Sequence, residues 1–263
     1  MKKILLLLLS ILTTLSMFGC GSNQNADLTD MEYVKEKGTL VVGITEFAPM
    51  DFKDKNGDWV GFDADMAKAF AKSLGVEVEF VLIDWDNKIL ELDGKTIDCV
   101  WNGMTLTDEV LAGMDCSNPY CNNSQVVIVP ADKAEQYQTK ESLTGLTFAV
   151  EAGSAGEDQV ELLGLETIPV KEQANALMEV AAGTADAAVI DALMAGAMIG
   201  EDTGYDDLVY TIGLNDEEYG VGFRKGSDLV AELNSYFVES YAAGTMQECA
   251  DTYGVAAALV EQK

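Results

Sequence analysis

The sequence has no histidine and a single arginine, Arg224, among its 263 residues. Without histidine there is no Ser-His-Asp or Cys-His catalysis, no histidine-ligated metal site and no histidine-based pH switch. Sixteen lysine and arginine residues stand against 45 aspartate and glutamate residues, which gives a net charge of −29. Because binding a phosphate backbone requires clustered lysine and arginine, we expect no nucleic acid among the partners.

Long apolar runs are also scarce. Ile4 to Phe18 follows a short basic start, and it is too short for a comfortable membrane span of roughly 20 residues. It is typical of a signal peptide, which we place at residues 1–19. Gly19-Cys20 resembles a lipoprotein signal-peptidase site, so we expect Cys20 to be lipidated and residues 20–37 to be a polar tether. Ordinary secretion with an incidental cysteine is the alternative.

The other cysteines are few and widely spaced. Cys99, Cys116, Cys121 and Cys249 lack the paired short spacings of a zinc site. An exported protein can form disulfides, and Cys116 is close enough to pair with Cys121 if the turn at Pro119 brings them together. We favour free, buried thiols, and we expect neither a metal nor a cofactor.

Strand and helix patterns alternate through the first half of the chain. The order β-α-β-α-β predicts a mostly parallel, doubly wound sheet with enough apolar residues for a core. One helix begins after Val60, buries Met66, Ala69, Phe70 and Leu74 at helical spacing, and ends at Gly75. The predicted elements are strands 39–44 and 76–81 and helices 60–75 and 87–92.

The segment from Asp98 to Glu109 is the centre of the predicted site. Cys99 to Trp101 is typical of the end of a buried strand, which we expect Asn102 and Gly103 to break. Thr107 and Asp108 are typical N-cap residues for a short helix, 109–114. A strand end that leads into a helix places backbone N–H groups and the Thr105 hydroxyl at one point, which in open α/β sheets lies in the ligand crevice.

The second half of the chain repeats this pattern. We expect the chain to cross into a second lobe near Pro130 and to return after Tyr219, so that lobe 1 comprises 38–129 and 220–263 and lobe 2 comprises 130–219. Within lobe 2, Gly153 to Gly156 opens a helix whose N–H groups can receive an anion. The strand 185–191 ends on Asp191, either as an N-cap or as a ligand contact.

Several segments in this order carry a family resemblance. Asn102 to Glu109, Gly61 to Gly75, Ala185 to Asp191 and Tyr219 to Ser227 are similar to motifs of the amino-acid-binding proteins of ABC importers, solute-binding protein family 3. The resemblance spans about Gly38 to Gly254. It implies a two-lobed type II periplasmic-binding-protein fold with a mostly parallel sheet in each lobe, hinge closure on a ligand, and permease and ATPase partners.

The resemblance also implies roles for individual residues. Gly103 and Thr105 meet the ligand's carboxylate, the Ser154-Ala155 turn meets it from lobe 2, and Asp191 binds its amino group. Phe47 is either a ligand platform or core. The family's carboxylate-clamping arginine is replaced by Val110 here. The predicted ligand-binding residues are Glu46, Phe47, Asn102, Gly103, Met104, Thr105, Val110, Glu151, Ser154, Ala155 and Asp191.

The predicted cleft charges, Glu46, Glu151 and Asp191, are all acidic, so we expect a neutral or cationic ligand. The expected function is capture of a small polar or cationic amino acid for import. Alternatives are an amine-binding importer component, a ligand-sensing domain and, less favoured without histidine, a dehydratase-like enzyme. Trp85 and Trp101 are expected in the core or at the rim.

Overall fold

A computed structural model describes residues 28–200 and 203–263. The helices are α1 Asp30–Lys37, α2 Phe62–Leu74, α3 Lys88–Asp93, α4 Asp108–Gly113, α5 Ala155–Leu162, α6 Gln173–Ala182, α7 Ala192–Met198, α8 Leu229–Ala242 and α9 Thr245–Tyr253. The strands are β1 Thr39–Ile44, β2 Phe52–Lys53, β3 Trp59–Val60, β4 Glu77–Leu82, β5 Cys99–Thr105, β6 Asp115–Cys116, β7 Cys121–Asn123, β8 Gln125–Pro130, β9 Thr147–Glu151, β10 Glu166–Val170, β11 Ala187–Asp191, β12 Leu208–Gly213 and β13 Glu217–Phe223. The predicted signal peptide and Cys20 lie outside the described residues.

Two mixed sheets form the centres of two lobes. The first has the order β4-β1-β5-β13-β6, with β7 also paired to β13, and the second has the order β10-β9-β11-β8-β12. In each sheet three consecutive strands are parallel and the remaining pairings are antiparallel. The predicted α/β class with a sheet in each lobe is therefore confirmed, but the sheets are mixed rather than mostly parallel, because the strands on either side of the crossings pair antiparallel.

The crossings lie a few residues from their predicted places. Residues 125–129, which the sequence predicts for lobe 1, belong to β8 of the second sheet, antiparallel to β11. Residues 217–219 were assigned to lobe 2, but they begin β13 in the first sheet. The sequence of an apolar strand does not indicate which sheet it joins, because sheet membership depends on the strand with which it pairs. The chain crosses at Ser124 and again between Gly213 and Glu217.

The second half of the predicted tether is a helix on lobe 1. In α1, Thr29 and Glu32 form a capping box, Val34 is buried, and Gly38 ends the helix with φ 75°. The Arg224 guanidinium lies 3.1 Å from Asp30 and 3.5 Å from Asp98. The only arginine of the sequence therefore holds α1 to the first lobe and is not a cleft residue.

Strand β5 does not break at Asn102 and Gly103 as expected, but continues to Thr105. Gly103 has φ +54°, which would interrupt an isolated strand. The ladder continues because β13 changes register between Gly220 and Gly222, opposite this point. The α4 helix starts as predicted, since the Thr107 hydroxyl accepts a hydrogen bond from Val110 N at 3.2 Å.

Helix α2 packs on the first sheet through the predicted Met66, Phe70 and Leu74. Ala69 is exposed, whereas Ala67 and Ala71 are buried, because the 100° step per residue turns position 69 away from the sheet. No helix in the ranges 28–200 and 203–263 is both long and apolar enough to cross a membrane.

The four described cysteines are unpaired, as expected. Cys99 and Cys121 are buried, while Cys116 and Cys249 are half-buried. Burial raises the pKa of the Cys116 thiol to about 11, so this thiol is protonated at neutral pH.

Candidate functional site

A cleft lies between the lobes, at the carboxyl ends of β5, β9 and β11. Ten predicted ligand-binding residues line it: Phe47, Asn102, Gly103, Met104, Thr105, Val110, Glu151, Ser154, Ala155 and Asp191. Glu46 does not line it and is exposed. The remaining lining residues, not predicted as ligand contacts, are Trp85, Lys88, Thr107, Glu109, Gln125, Gly153, Asp158 and Gln173.

The floor of the cleft on lobe 1 is the backbone at Gly103, which has the left-handed φ of +54° that glycine adopts without strain. A Cβ added there would lie 2.5 Å from the Phe47 ring, so only glycine lets the ring approach the strand. Gly103 N donates to the Asp63 carboxylate at 2.6 Å, and the Tyr120 hydroxyl donates to the same oxygen at 2.7 Å. Burial raises the pKa of Asp63 to about 7. Phe47 is both buried and part of the cleft wall.

Asn102 fixes the same strand from its other side. Its side-chain oxygen accepts from Thr45 N at 2.9 Å, and its amide donates to the buried carboxylate of Asp51 at 2.8 Å. Burial, and then the charge of Asp63, raises the pKa of Asp51. These bonds give the floor of the cleft a fixed shape.

The wall formed by β5 and α4 has an apolar part at Met104 and Val110, beside the polar side chains of Thr105 and Glu109. Val110 is 2% exposed and belongs to a cluster that includes Trp85 and Met104. The Thr105 hydroxyl donates to Glu217 at 2.9 Å. Trp85 lines the cleft as well as packing in this cluster.

Asp191 lies at the N-cap position of α7, but its side chain does not cap that helix. Its carboxylate accepts hydrogen bonds from the amides of Asn123 and Gln173, from Gln125 Nε2 at 3.0 Å and from the Tyr219 hydroxyl at 2.6 Å. Burial, and then the nearby charge of Glu217, raises the pKa of Asp191 to about 7. Asp191 is therefore positioned as a carboxylate that can receive a cationic group.

Glu151, at the end of β9, is 2% exposed, and its Oε1 atom is buried without a hydrogen-bond partner among the described residues. Burial, and then the charge of Asp191, raises the pKa of Glu151 well above its usual value. A buried acceptor without a partner costs about 1–3 kcal/mol. No described residue donates a hydrogen bond to this oxygen.

The Gly153-Ser154-Ala155 turn opens α5 on the opposite wall. The Ser154 hydroxyl accepts from Glu157 N at 3.1 Å, and Asp158 N donates to the Ser154 carbonyl at 3.2 Å. The first N–H groups of a helix have no intrahelical acceptor, which leaves those of Ala155 and Gly156 for an anion. Gly153 has φ +70°, and an added Cβ would lie 2.8 Å from Asp86 Cα.

Lys88 corrects the prediction that the cleft charges are all acidic. It begins α3 and is 5% exposed, and its ammonium donates to the Gly153 carbonyl at 2.8 Å. No local pattern predicts this position, because a lysine at the start of a short helix is usually solvated. The local sequence does not predict Gln125 and Gln173 as cleft residues either. Each begins a strand or helix, and their side chains meet Asp191 only in the folded chain.

The two lobes touch across the cleft. Besides the Lys88–Gly153 bond, Lys171 of lobe 2 lies 3.3 Å from Asp84 of lobe 1 in an exposed ion pair. The two crossings are joined by the Ser124 hydroxyl, which donates to the Asn215 carbonyl at 2.6 Å. The arrangement is that of two lobes joined by paired connecting segments and closed on a polar cleft, the geometry of a hinged binding protein.

Comparison with known proteins names the family. The chain matches the model of the bacterial extracellular solute-binding proteins, family 3, over residues 40–256. It belongs to this family, and its cleft is that of a solute-binding protein.

Individual proteins of similar sequence and structure span nearly the whole chain. The L-cystine-binding protein TcyJ of Escherichia coli (strain K12) is 28% identical over 251 residues, which cover 94% of each chain. The arginine-binding extracellular protein ArtP of Bacillus subtilis (strain 168) is 29% identical over 255 residues, covering 94% of this chain and 96% of that protein. The crystal structure of a mutant of ArgBP from T. maritima has a TM-score of 0.80 at 34% identity, covering 86% of this chain and 99% of that one.

Proposed function

We propose that this chain is the substrate-binding lipoprotein of an ABC importer and that it captures a small polar or cationic amino acid by closing its lobes. Its partners are a permease and an ATPase subunit, and the lipidated Cys20 holds it at the outer face of the cell membrane. The similarity to cystine-binding and arginine-binding proteins supports an amino acid as the ligand.

The observation that carries the proposal is the pair of buried carboxylates in the cleft. Asp191 and Glu151 are 3% and 2% exposed, and Glu151 has an oxygen without a partner. Desolvating such groups is costly unless a cation pairs with them. The α-ammonium of a ligand pairs with Asp191. A second donor or cation on the side chain of the ligand then supplies the missing partner of the Glu151 carboxylate.

The remaining walls suit the other parts of an amino acid. The N–H groups at the start of α5 receive the carboxylate, in keeping with the roles that the family resemblance gives to Ser154 and Ala155. The rings of Phe47 and Trp85 line the cleft and offer apolar surface to an aliphatic stem.

The second candidate is an amine without a carboxylate. It is favoured by one observation: the wall at Val110 is apolar, whereas Glu109, Glu151, Asp158 and Asp191 give the cleft four carboxylates. An amine would use the carboxylates and leave the start of α5 unused.

Native mass spectrometry of the chain from residue 21 onward, followed by calorimetry, tests both candidates. The calorimetric panel contains arginine, lysine, glutamine, cystine and glutamate, with agmatine and cadaverine as the decarboxylated partners of arginine and lysine. We expect an amino acid to be released intact, and arginine or lysine to bind more tightly than glutamate. Tightest binding of glutamate would overturn the charge argument, and binding of amines alone would establish the second candidate.

The anchor has its own test. Replacing Cys20 with alanine should move the protein from the membrane fraction to the supernatant when cells are fractionated. A Cys20→Ala protein that stays with the membrane would contradict lipid attachment at this residue, and it would leave the ligand proposal unaffected.

A further inference from the structure

Lys88 is the one cation among the described residues that line the cleft. Its ammonium donates to the Gly153 carbonyl at 2.8 Å and to the Trp85 carbonyl at 3.3 Å, and it lies 5.1 Å from the centre of the Trp85 ring. These contacts hold the ammonium at the interface between the lobes, because Trp85 belongs to lobe 1 and Gly153 to lobe 2.

The charge of Lys88 has no ion-pair partner in the part of the chain that the structure describes. The ion pairs within 4.0 Å there involve other lysines and Arg224. An ammonium has three N–H donors, and two of them go to neutral carbonyls. The nearby acids Glu109, Glu151 and Asp158 act on Lys88 only from longer range. One N–H and a buried positive charge therefore remain available to an anionic acceptor.

A second anion-receptive group lies beside it on the facing lobe. Gly153, which accepts from Lys88, directly precedes Ser154, the N-cap of α5. Because Ser154 already satisfies Glu157 N and Asp158 N, the free N–H groups of the helix start are those of Ala155 and Gly156. A carboxylate placed here would meet a lysine from lobe 1 and backbone N–H groups from lobe 2.

We propose that Lys88 binds the carboxylate of the ligand, together with the start of α5, and so restricts the site to ligands that carry one. This inference rests on the proposed function. Lys88 takes on the charge pairing that the apolar Val110 cannot supply, and it does so from α3 rather than from α4. Since the same ammonium bonds Gly153, recognition of the carboxylate and closure of the lobes depend on one side chain.

The experiment compares a ligand with its decarboxylated partner on matched variants. Calorimetry measures arginine and agmatine, or lysine and cadaverine, or glutamine and 4-aminobutanamide, whichever amino acid the wild type binds best. Lys88→Met keeps the stem and removes the charge, and Lys88→Arg keeps the charge. Lys171→Met is the control, because Lys171 also bridges the lobes but lies in an exposed ion pair outside the cleft lining.

We expect Lys88→Met to lower the affinity for the amino acid by about ten-fold to a hundred-fold, which corresponds to the loss of one hydrogen bond to a charged group. The decarboxylated partner should change by less than about three-fold, Lys88→Arg should retain most of the amino-acid affinity, and Lys171→Met should leave both affinities unchanged. Thermal unfolding without ligand verifies folding, and Lys88→Gln replaces Lys88→Met if the latter does not fold.

Three results would overturn the inference. If Lys88→Met weakens amino acid and amine equally, Lys88 only holds the lobes together. If it weakens neither, Lys88 has no part in binding. A wild type that binds amines but no amino acid refutes the proposed amino-acid function itself, and the role of Lys88 with it, which separates that failure from the first two.

Discussion

Asp191 and Glu151 end neighbouring strands of the second sheet, and both are buried in the cleft. Burial raises the pKa of each carboxyl. They differ in their partners: Asp191 accepts four side-chain hydrogen bonds, whereas Oε1 of Glu151 has none among the described residues. The two carboxylates thus have the same chemistry and similar burial but differ in the number of hydrogen bonds that they accept from the protein.

The donors to Asp191 show what its task is. Asn123 and Tyr219 belong to the first sheet, while Gln125 begins the first strand of the second sheet after the crossing. Asp191 is therefore fixed by both lobes and keeps its position whatever the ligand's side chain. The buried Oε1 atom of Glu151 has no partner among the described residues, so we propose that Glu151 discriminates between ligands by their charge and donors.

The largest effect should come from removing the charge of Asp191. We expect Asp191→Asn to make the binding free energy of every α-amino acid less favourable by about 2–5 kcal/mol, as measured by calorimetry. This is the usual cost of truncating one partner of a buried charge pair. Asp186→Asn is the matched control at the other end of the same strand, where the carboxylate accepts from Thr147 N at 3.0 Å and does not line the cleft. Equal losses in the two variants would mean that strand stability, not ammonium binding, had been tested.

A smaller and selective effect is expected at Glu151. Glu151→Gln should lower the affinity for arginine by about ten-fold, since one charged partner of the ligand is lost. The affinity for citrulline, the neutral counterpart of arginine, should stay nearly unchanged. The ligand-free variant should also unfold at a higher temperature, because a carboxylate that is costly to bury becomes an amide. Equal weakening of arginine and citrulline would show that the two acids do not differ in their task.

These two acids could be found in the sequence for a physical reason. Glu151 and Asp191 each end an apolar run that leads into a glycine-rich turn or a helix, and strand ends meet at one edge of a sheet. Ser154 and Thr107 were predictable because capping is a local interaction. The alternation of strand and helix similarly predicted the two-sheet class.

The rest depended on contacts between distant segments. Lys88 and Gln173 become cleft residues only when α3 and α6 pack beside the cleft, and neither has a local signal. The sheet to which β8 belongs was not predictable, since its four apolar residues, 126–129, fit either core. Trp85 was expected in the core or at the rim, and it both packs in a core cluster and lines the cleft.

The comparison can be sharpened with pH. Because the pKa of Asp191 is raised to about 7 and an ammonium binds the ionised form, affinity should rise by about ten-fold per pH unit below 7 and level off above it. Protons should be released on binding, which calorimetry in two buffers of different ionisation enthalpy measures. Glu217 and Glu151 also face this site, and their charges act in the direction of a raised pKa.

Tyr219→Phe is the test of this pH assignment. The Tyr219 hydroxyl bonds the carboxylate at 2.6 Å and lowers the pKa of Asp191 against the effect of burial. Its removal should shift the midpoint of the affinity profile to higher pH while the plateau changes less. A midpoint that stays in place would assign the titration to another group.

The smallest effect is expected at Glu46, which the sequence placed among the ligand contacts beside Glu151 and Asp191. Its neighbour Phe47 is 2% exposed and packs edge-on to Tyr219 at 6.3 Å between ring centres, whereas Glu46 is exposed and outside the cleft lining. Successive residues of an extended segment face opposite sides, so turning Phe47 inward turns Glu46 outward. Glu46→Gln should change the affinity for arginine by less than about two-fold, because exposed charges are screened within about 10 Å at 0.1 M salt. A loss of arginine affinity as large as that of Glu151→Gln would mean that Glu46 contacts the ligand. Burial would then no longer distinguish the acids that bind the ligand from those that do not.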